Sequence, residues 1–499
     1  MGEIAGERGE SLEGGALNRS AVLRLYHALP PVGRSVVASL RGFQLRSWRY
    51  GPDAESRVAE ALERDRWNPS RWRAWQDERL AFVLQRAATR VPYYRRQWEE
   101  RRRRGDRASV ERLENWPILD KERVRESPQS FVADDCDVRR MYHEHTSGTT
   151  GKPLNLWWSR DTVRAWFSIF EARIRRWNGV TRHDRWGILG GQLVVPVERR
   201  RPPFWVWNAG LHQLYMSSYH LSPNNVSAYL AAMRRYGVGY AIGYPSALSA
   251  LAQGALEQGL SPLPLKVAIS NAEPLSDSQR SAVERAFLCP VRDTYGMAEI
   301  VAAGSECEAG SLHQWPEVGV TEVLRDDSND RVADHESGRL ICTGLLNADM
   351  PLVRYAVGDR GRIASGGRRC SCGRELPSFE SIEGRADDVV LTPDGRRVGR
   401  LDPVFKADLR IREAQIVQEN LTSVRVNVVP APGFGPRDER EIVRGLRQRL
   451  GDSVGVTVEA VDSIPRTEAG KLRAVISRLK LVSGSAAEPS RVNPEERVS

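Results

Sequence analysis

Residues 146–153 read Thr-Ser-Gly-Thr-Thr-Gly-Lys-Pro, and the interpretation of the whole chain begins with this loop. Its two glycines let the backbone approach a polyanion closely, and its hydroxyl and N–H groups can surround phosphate oxygens. Lys152 adds a positive charge. The loop is not a Walker A motif, because that motif requires Gly-x-x-x-x-Gly-Lys-Ser/Thr. An ordinary turn can have the same composition, so the loop predicts phosphate binding only together with other motifs.

A second glycine–lysine pair, Gly470-Lys471, lies near the C-terminus in the stretch Pro-Arg-Thr-Glu-Ala-Gly-Lys-Leu-Arg. A turn at this place can present the ammonium group as a compact charge to a phosphate or carboxylate oxygen. A solvated lysine at the start of an element would look the same in sequence. The Gly470-Lys471 pair indicates a function only together with the first loop, far upstream, and the three motifs that lie between the two.

The first intermediate motif is Asp-Thr-Tyr-Gly-Met-Ala-Glu at 293–299, where a tyrosine ring could face adenine and the carboxylate is a hard ligand suited to magnesium. The second, at 350–359, ends in a Gly-Asp turn, whose carboxylate could accept hydrogen bonds from two ribose hydroxyls. The third is Ile-Glu-Gly-Arg-Ala-Asp-Asp at 382–388. Each motif alone is also typical of an ordinary turn.

In this order the five motifs resemble the adenylate-forming acyl and aryl acid ligases, in particular the phenylacetate–CoA ligase and capsule-biosynthesis (CapK-like) branch. The resemblance implies an α/β fold with a large N-terminal domain, a helical N-terminal layer and a small, mobile α+β C-terminal lid domain. It implies ATP-dependent activation of a carboxylic acid, aryl or arylacetic, as an acyl-adenylate, followed by transfer to CoA. ATP, Mg²⁺ and CoA are the expected cofactors and substrates.

The resemblance also assigns roles to residues. Lys471 and Glu299 are the expected catalytic residues, Glu299 as the magnesium ligand, and Asp387 is the expected hinge. The ATP-binding set is Thr146, Ser147, Gly148, Thr149, Thr150, Gly151, Lys152, Ala272, Glu273, Pro274, Tyr295, Gly296, Asp359 and Arg385.

The pocket for the acid is expected at Tyr244, Pro245 and Asn271. Tyr244 could stack on an aryl acid or could be an ordinary core tyrosine. Ala298 stands where the family usually has Ser or Thr, so one hydroxyl near the acid is missing. The sequence therefore does not identify the acid.

Cysteine and histidine form a further group. Cys307 and His313 are six residues apart, and Cys370 and Cys372 form a Cys-x-Cys pair. Together they could close a tetrahedral Cys₃His zinc site, or they could be reduced thiols in surface loops. Members of the resembled branch have such an arrangement, which favours a structural zinc ion. The remaining cysteines, at 136, 289 and 342, fit burial better.

Composition agrees with an enzyme of two or three domains. The chain has 499 residues, of which 40% are hydrophobic and 28% charged, enough to bury a large core. The net charge of +10 is spread along the chain, which favours attraction of anionic substrates over nucleic-acid binding. The N-terminal sequence does not resemble a signal peptide, and no apolar run is long enough to span a membrane. We expect a cytoplasmic protein, and leave open whether it is a homodimer.

The resemblance implies that residues 20–383 form the N-terminal adenylation domain and residues 384–480 the lid. Periodicity adds helical spacing in 20–120 and an alternation of strand and helix patterns from 140 to 380 that favours a largely parallel sheet. Residues 1–19 and 481–499 are expected to be disordered. Two other functions stay open: an acyl or adenylyl transferase with an amine or hydroxyl acceptor in polysaccharide or cofactor biosynthesis, and an inactive scaffold with the same fold.

Overall fold

The structure is a computed structural model. It describes residues 15–145, 154–196, 198–364, 370–385, 390–393, 397, 398, 401, 404, 405, 409–466 and 472–479.

Helices dominate the N-terminal part of the chain, as the spacing of apolar residues predicts. They are α1 (Gly15–Ala28), α2 (Pro31–Arg49), α3 (Ala54–Arg64), α4 (Pro69–Arg90), α5 (Pro92–Arg103) and α6 (Lys121–Glu126). Proline occupies the first turn of α2, α4 and α5, where its missing N–H costs no hydrogen bond. Residues 15–19 are helical rather than disordered, because the good helix formers Ala16 and Leu17 extend α1 toward the N-terminus.

A mostly parallel sheet follows in the middle of the chain. The hairpin β1 (Tyr142–His145) and β2 (Asn155–Trp158) precedes helix α7 (Arg160–Phe170). Among the described residues six strands then pair in the order β4-β5-β3-β6-β7-β8, and only β4 and β5 are antiparallel. The strands are β3 (Trp186–Gly190), β4 (Trp205–Asn208), β5 (Gln213–Ser217), β6 (Tyr240–Gly243), β7 (Ala268–Ser270) and β8 (Val291–Arg292). The helices between them are α8 (Val226–Tyr236), α9 (Pro245–Glu257) and α10 (Asp277–Phe287).

The next part of the chain forms an antiparallel sheet, which the alternating pattern did not predict. Its strands are β9 (Thr294–Gly296), β10 (Ala303–Glu306), β11 (Leu312–Gln314), β12 (Gly319–Leu324), β13 (Gly338–Gly344), β14 (Tyr355–Ile363) and β15 (Ser378–Arg385). They pair in the order β12-β13-β14-β15-β11-β10-β9. The largely parallel sheet expected for 140–380 is therefore only its first half, because the described residues between β9 and β15 form no helix that could connect parallel strands.

The C-terminal part has its own sheet and core. Its elements are β16 (Val390–Leu391), β17 (Arg397–Val398), β18 (Ile411–Asn420), β19 (Ser423–Pro430), α11 (Pro436–Leu450), β20 (Gly455–Ala460) and β21 (Val475–Ser477). Strands pair as β20-β19-β18-β21, and α11 buries Ile442, Leu446 and Leu450 in the same apolar cluster. Among the described residues, two other large clusters lie around the antiparallel sheet and N-terminal helices and around α8 to α10, and two small ones accompany them. The α/β fold class is thus confirmed, while the domain boundary at 383/384 stays a prediction.

Candidate active site

Two of the predicted motifs meet through one hydrogen bond. The Tyr295 hydroxyl, on β9, donates to Asp359 Oδ2, on β14, over 2.8 Å. Burial and the neighbouring Asp359 carboxylate raise the pKa of Tyr295, so its hydroxyl remains a donor. The Tyr295 ring contacts Phe379 edge to face at 5.3 Å between ring centroids. The expected adenine-facing and ribose-binding residues are therefore neighbours, although 64 residues separate them in sequence.

Glu299 lies at the end of the same motif and is buried, with two donors on one oxygen. Lys121 Nζ is 2.8 Å from Glu299 Oε1, and the Tyr355 hydroxyl donates to the same oxygen over 2.9 Å. Burial alone would raise the pKa of Glu299, but the charge and hydrogen bond of Lys121, with the Tyr355 hydrogen bond, outweigh burial and hold the pKa below its usual value.

This carboxylate fits the magnesium role. Its lowered pKa keeps Glu299 ionised, and Mg²⁺ in nucleotide sites usually takes one or two carboxylates together with phosphate oxygens and water. Within the described ranges, the only group of three or more Cys, His, Asp or Glu side chains close enough for a metal lies elsewhere, at Cys307 and its neighbours. Glu299 would hold the ion together with oxygens of the nucleotide.

The turn at 271–274 follows β7. Its backbone is tied to β6 by the Asn271 N–H, which donates to the Gly243 carbonyl over 3.1 Å, and Ala272 has a φ of +64°. The side-chain oxygen of Asn271 is buried and has no hydrogen-bond partner among the described residues. A buried acceptor without a partner is costly unless a ligand or water satisfies it. This supports the expectation that Asn271 lines a pocket.

Glu273 connects this turn to the C-terminal part of the chain. Its Oε1 accepts a hydrogen bond from the Leu472 backbone N–H over 2.7 Å, and its Oε2 accepts one from the Ser246 N–H over 3.2 Å. Ser246 is in the first turn of α9, where N–H groups have no helical partner. Burial raises the pKa of Glu273. Because Leu472 follows Lys471 directly, Glu273 fixes the chain next to the expected catalytic lysine.

A second contact joins the same two parts of the chain. Arg412, on β18, pairs with Glu257, at the end of α9, with N–O distances of 2.6 and 3.2 Å. Both side chains are partly exposed, so this ion pair contributes little stability. The Glu273 contact is the more consequential of the two, since its carboxylate is desolvated.

Two of the expected acid-pocket residues, Tyr244 and Pro245, and the nearby core aromatics have packing partners. Tyr244 caps α9 and packs against the apolar cluster of α8 to α10, and burial raises its pKa. Pro245, the first residue of α9, is buried. The Trp207 ring stacks on Tyr236 at 5.1 Å. The core interpretation of Tyr244 thus has structural support, and stacking on an acid is untested.

Several expected site residues lie outside the described residues. They are the whole phosphate loop, the lysine and the hinge: Thr146, Ser147, Gly148, Thr149, Thr150, Gly151, Lys152, Lys471 and Asp387. Arg385 is described only as a backbone position on β15, opposite Asp359 on β14. Gly296 lies on β9 and Pro274 in the turn after β7. The roles of these residues stay predictions.

The four expected zinc ligands lie together. Cys307 follows β10, His313 is on β11, and β11 pairs with β15, which brings the preceding 370–373 turn beside them. The Cys307 and Cys370 sulfurs are 3.7 Å apart, Cys372 Sγ is 3.3 Å from His313 Nε2, and all four ligand atoms lie within 4.8 Å of one another. Zinc with Zn–S near 2.3 Å and Zn–N near 2.0 Å would give tetrahedral edges of about 3.8 Å (S–S) and 3.5 Å (S–N).

The surroundings of this cluster also fit a metal. His313 Nδ1 is 3.1 Å from the Leu376 carbonyl, and donation there leaves Nε2 as the ligand atom. Glycines with positive φ, Gly310 and Gly373, form the two turns that carry the cysteines. The donor set and its spacing therefore fit a closed structural zinc site.

Comparisons with known proteins identify the family of the chain. The sequence model of the AMP-binding enzyme family matches residues 73–348, more than half of the chain. The chain belongs to this family. A model of the CapK C-terminal domain matches residues 390–478. The resemblance to adenylate-forming enzymes of the CapK-like branch is thereby confirmed.

Individual relatives are more distant. Protein CapK of Staphylococcus aureus is 25% identical over 395 residues, covering 75% of this chain and 82% of the relative. The phenylacetate-coenzyme A ligase of Thermus thermophilus is 25% identical over 476 residues, covering 86% and 100%. The crystal structure of 2-hydroxyisobutyryl-CoA ligase in the postadenylation state with 2-HIB-AMP is 22% identical, with a TM-score of 0.65 over 83% of this chain and 91% of that one. This likeness shows a shared fold.

Sequence reasoning missed Lys121 and Tyr355 as partners of Glu299. Lys121 begins α6 and is 178 residues from Glu299. The sequence around it does not distinguish it from a solvent-exposed lysine at the start of a helix. The signal that could have found it is the burial of Glu299, because a buried carboxylate needs a positive partner or several donors.

Proposed function

We propose that this AMP-binding enzyme activates a carboxylic acid with ATP as an acyl-adenylate and then transfers the acyl group to CoA. The observation that carries the proposal is the anchoring of the chain beside Lys471 to Glu273, which belongs to the turn expected to bind ATP. This contact brings the C-terminal part of the chain to the side of the motif residues. An aryl or arylacetic acid is the proposed substrate class, in keeping with the phenylacetate-coenzyme A ligases among the relatives.

In the first step a carboxylate oxygen attacks the α-phosphorus of ATP, and pyrophosphate leaves. We assign Lys471 to the attacking oxygen and α-phosphate, and the 146–153 loop to the departing pyrophosphate. Asp359 holds the ribose, with its carboxylate oriented by Tyr295. Glu299 would hold Mg²⁺, which neutralises phosphate charge when bound. Alignment and charge neutralisation supply the catalysis, since no protein nucleophile is needed.

In the second step the CoA thiol, after losing its proton, attacks the acyl carbon, and AMP leaves. We propose that the C-terminal domain rotates about Asp387 between the two steps, which withdraws Lys471 and admits the thiol. The rotation would break the hydrogen bond between Glu273 and the Leu472 N–H. The strength of this bond would therefore set part of the balance between the two orientations.

A structural zinc ion is the second part of the proposal. Cys307, His313, Cys370 and Cys372 would hold it as a closed tetrahedral site without a position for substrate. His313 pairs through β11 with β10 and β15, so the site would join the end of the antiparallel sheet that carries Tyr295. Its role would be to stabilise that end.

The experiment that tests the proposed activity is acid-dependent exchange of pyrophosphate into ATP, screened over aryl, arylacetic, fatty and amino acids. We expect exchange with at least one aryl or arylacetic acid, and formation of a thioester and AMP when CoA is added. Absence of exchange with every acid, in protein that binds ATP, would contradict the proposal and favour an inactive scaffold.

A second candidate function is transfer of the acyl or adenylyl group to an amine or hydroxyl in polysaccharide or cofactor biosynthesis. The match of residues 390–478 to the CapK C-terminal domain favours it, because that part of the chain carries the lysine and would shape the route of the acceptor. Acid-dependent exchange without thioester formation, together with product from a glycan or amine acceptor, would identify this reaction.

A further inference from the structure

Helix α2 presents an apolar stripe to solvent. The stripe consists of Val32, Val36, Val37, Leu40 and Phe43, whose exposed fractions are 75%, 52%, 42%, 65% and 53%. Four of these residues follow the i, i+4, i+8, i+11 spacing of one helix face. An exposed apolar surface of several hundred square ångströms in a monomer usually marks an interaction site.

The opposite face of α2 is fixed to the protein. It buries Arg34, Gly42, Leu45 and Arg49. At strand β4, the Trp207 N–H donates to the Ser35 hydroxyl over 3.2 Å. The orientation of the stripe toward solvent is therefore determined by the fold, and α2 cannot turn to bury these side chains without leaving β4.

The charged side chains of α2 itself and of the chain leading into it have one sign. Residues 14–52 contain six arginines and no aspartate or glutamate, and two of the six, Arg34 and Arg49, are buried on the opposite face of α2. With 3.6 residues per turn, Arg41 and Arg46 lie about 100° and 120° from Leu40 on opposite edges of the stripe. The preceding helix α1 adds exposed Arg24 and Leu25. An apolar face edged by arginine is the pattern of helices that lie in the interface of an anionic membrane.

We propose that the α2 stripe binds the surface of an anionic lipid bilayer. The apolar side chains would enter the boundary between headgroups and acyl chains, and the flanking arginines would contact lipid phosphates. None of the helices within the described ranges is long and apolar enough to cross a bilayer, so contact would be confined to the surface. A second copy of this chain is the poorer occupant, because a symmetric contact would bring two sets of arginines together without a carboxylate from residues 14–52 between them.

The test is flotation of the full-length protein with two kinds of vesicle, phosphatidylcholine alone and phosphatidylcholine mixed with phosphatidylglycerol. We expect binding to the mixed vesicles only, weakening as salt is raised, because electrostatic attraction is screened. Leu40→Glu should lower the bound fraction about tenfold or more, since it removes an apolar contact and adds repulsion. Reversal of the charges at Arg41 and Arg46 should have a similar effect.

The matched control is Phe82→Glu. Phe82 lies on α4, is 49% exposed and would receive the same charge outside the stripe. The bound fraction of Phe82→Glu should lie within about twofold of that of wild type. Thermal unfolding should show that Leu40→Glu and Phe82→Glu are both folded. Absence of binding to mixed vesicles, or equal losses in Leu40→Glu and Phe82→Glu, would overturn the proposal. So would a dimer in sedimentation that Leu40→Glu dissociates, because the stripe would then be covered by a second copy.

Discussion

Replacement of Glu273 by glutamine should separate the two half-reactions. Glutamine has the size of glutamate but only one acceptor oxygen, so it can satisfy the Ser246 N–H or the Leu472 N–H, not both. Ser246 belongs to a fixed helix, whereas Leu472 belongs to the part of the chain that would move, and we expect the Leu472 bond to be lost. The change removes a buried, charge-assisted hydrogen bond of 2.7 Å.

The expected magnitude follows from that bond. Hydrogen bonds to charged groups contribute about 1.5–3 kcal/mol, and a factor of ten in rate corresponds to about 1.4 kcal/mol. Adenylation, measured by pyrophosphate exchange, should therefore fall roughly 10- to 150-fold in kcat/KM. Thioester formation from a supplied acyl-adenylate should be unchanged or faster, because the bond would have to break before that step.

The thermal stability of Glu273→Gln should not fall together with its adenylation rate. Burial raises the pKa of Glu273 in the folded protein, so this group contributes most to stability when protonated, and the contribution is lost as the pH rises through the folded pKa. Above that pKa the buried carboxylate therefore costs stability that glutamine does not. Glu273→Gln should unfold at the same temperature as wild type or higher, in spite of its lower adenylation rate.

The matched control is Glu257→Gln, which removes the charge from the other contact between the same parts of the chain. That ion pair is partly exposed, and such pairs contribute about 0–1 kcal/mol. Its effect on adenylation should stay below about fivefold. Equal losses in both half-reactions of Glu273→Gln, or an unchanged adenylation rate, would refute the assignment of Glu273 to positioning the chain beside Lys471.

Four further results are expected. Lys471→Ala should lower adenylation by roughly 10²–10³-fold and spare transfer from a supplied adenylate, and equal loss in both steps would contradict its assignment. Asp359→Ala should raise the KM for ATP by an amount equal to about 1.5–3 kcal/mol, with acid kinetics little changed. Lys121→Met should raise the pKa of Glu299, so the acidic limb of the pH–rate profile should move to higher pH, and an unmoved limb would separate Glu299 from catalysis. Purified protein should contain about one zinc ion per chain, and Cys370→Ser should lower metal content and unfolding temperature before activity; zinc-free protein from a chelator-free preparation would rule the site out.

The sequence predicted the elements whose patterns are local. The alternation of residues 421–429 became β19, and the helical spacing of 276–287 became α10, whose N-terminus has a Ser276–Gln279 capping box. The grouping of Cys307, His313, Cys370 and Cys372 was also predictable, because cysteine and histidine are distinctive side chains in any sequence. These cases need only short-range periodicity or distinctive side chains.

Features that depend on distant pairing were not predictable. Strand β15 joins β14 to β11, and no short pattern shows that His313 lies opposite Ser378. The Lys121–Glu299 ion pair and the Glu273–Leu472 hydrogen bond span 178 and 199 residues. In the second case the donor is a backbone N–H, which has no sequence signature at all.

Because the donor to Glu273 is a backbone N–H, the C-terminal domain could be exchanged between relatives. Every residue except proline supplies a backbone N–H, so the Glu273 contact makes almost no demand on the side chain at position 472. The Arg412–Glu257 contact, by contrast, requires a matching residue on each side. A chimera that joins this N-terminal domain to the C-terminal domain of a distant homologue would therefore keep the first contact even where the second is lost. Modular recombination of acid-recognising and acceptor-recognising halves is thus compatible with this interface.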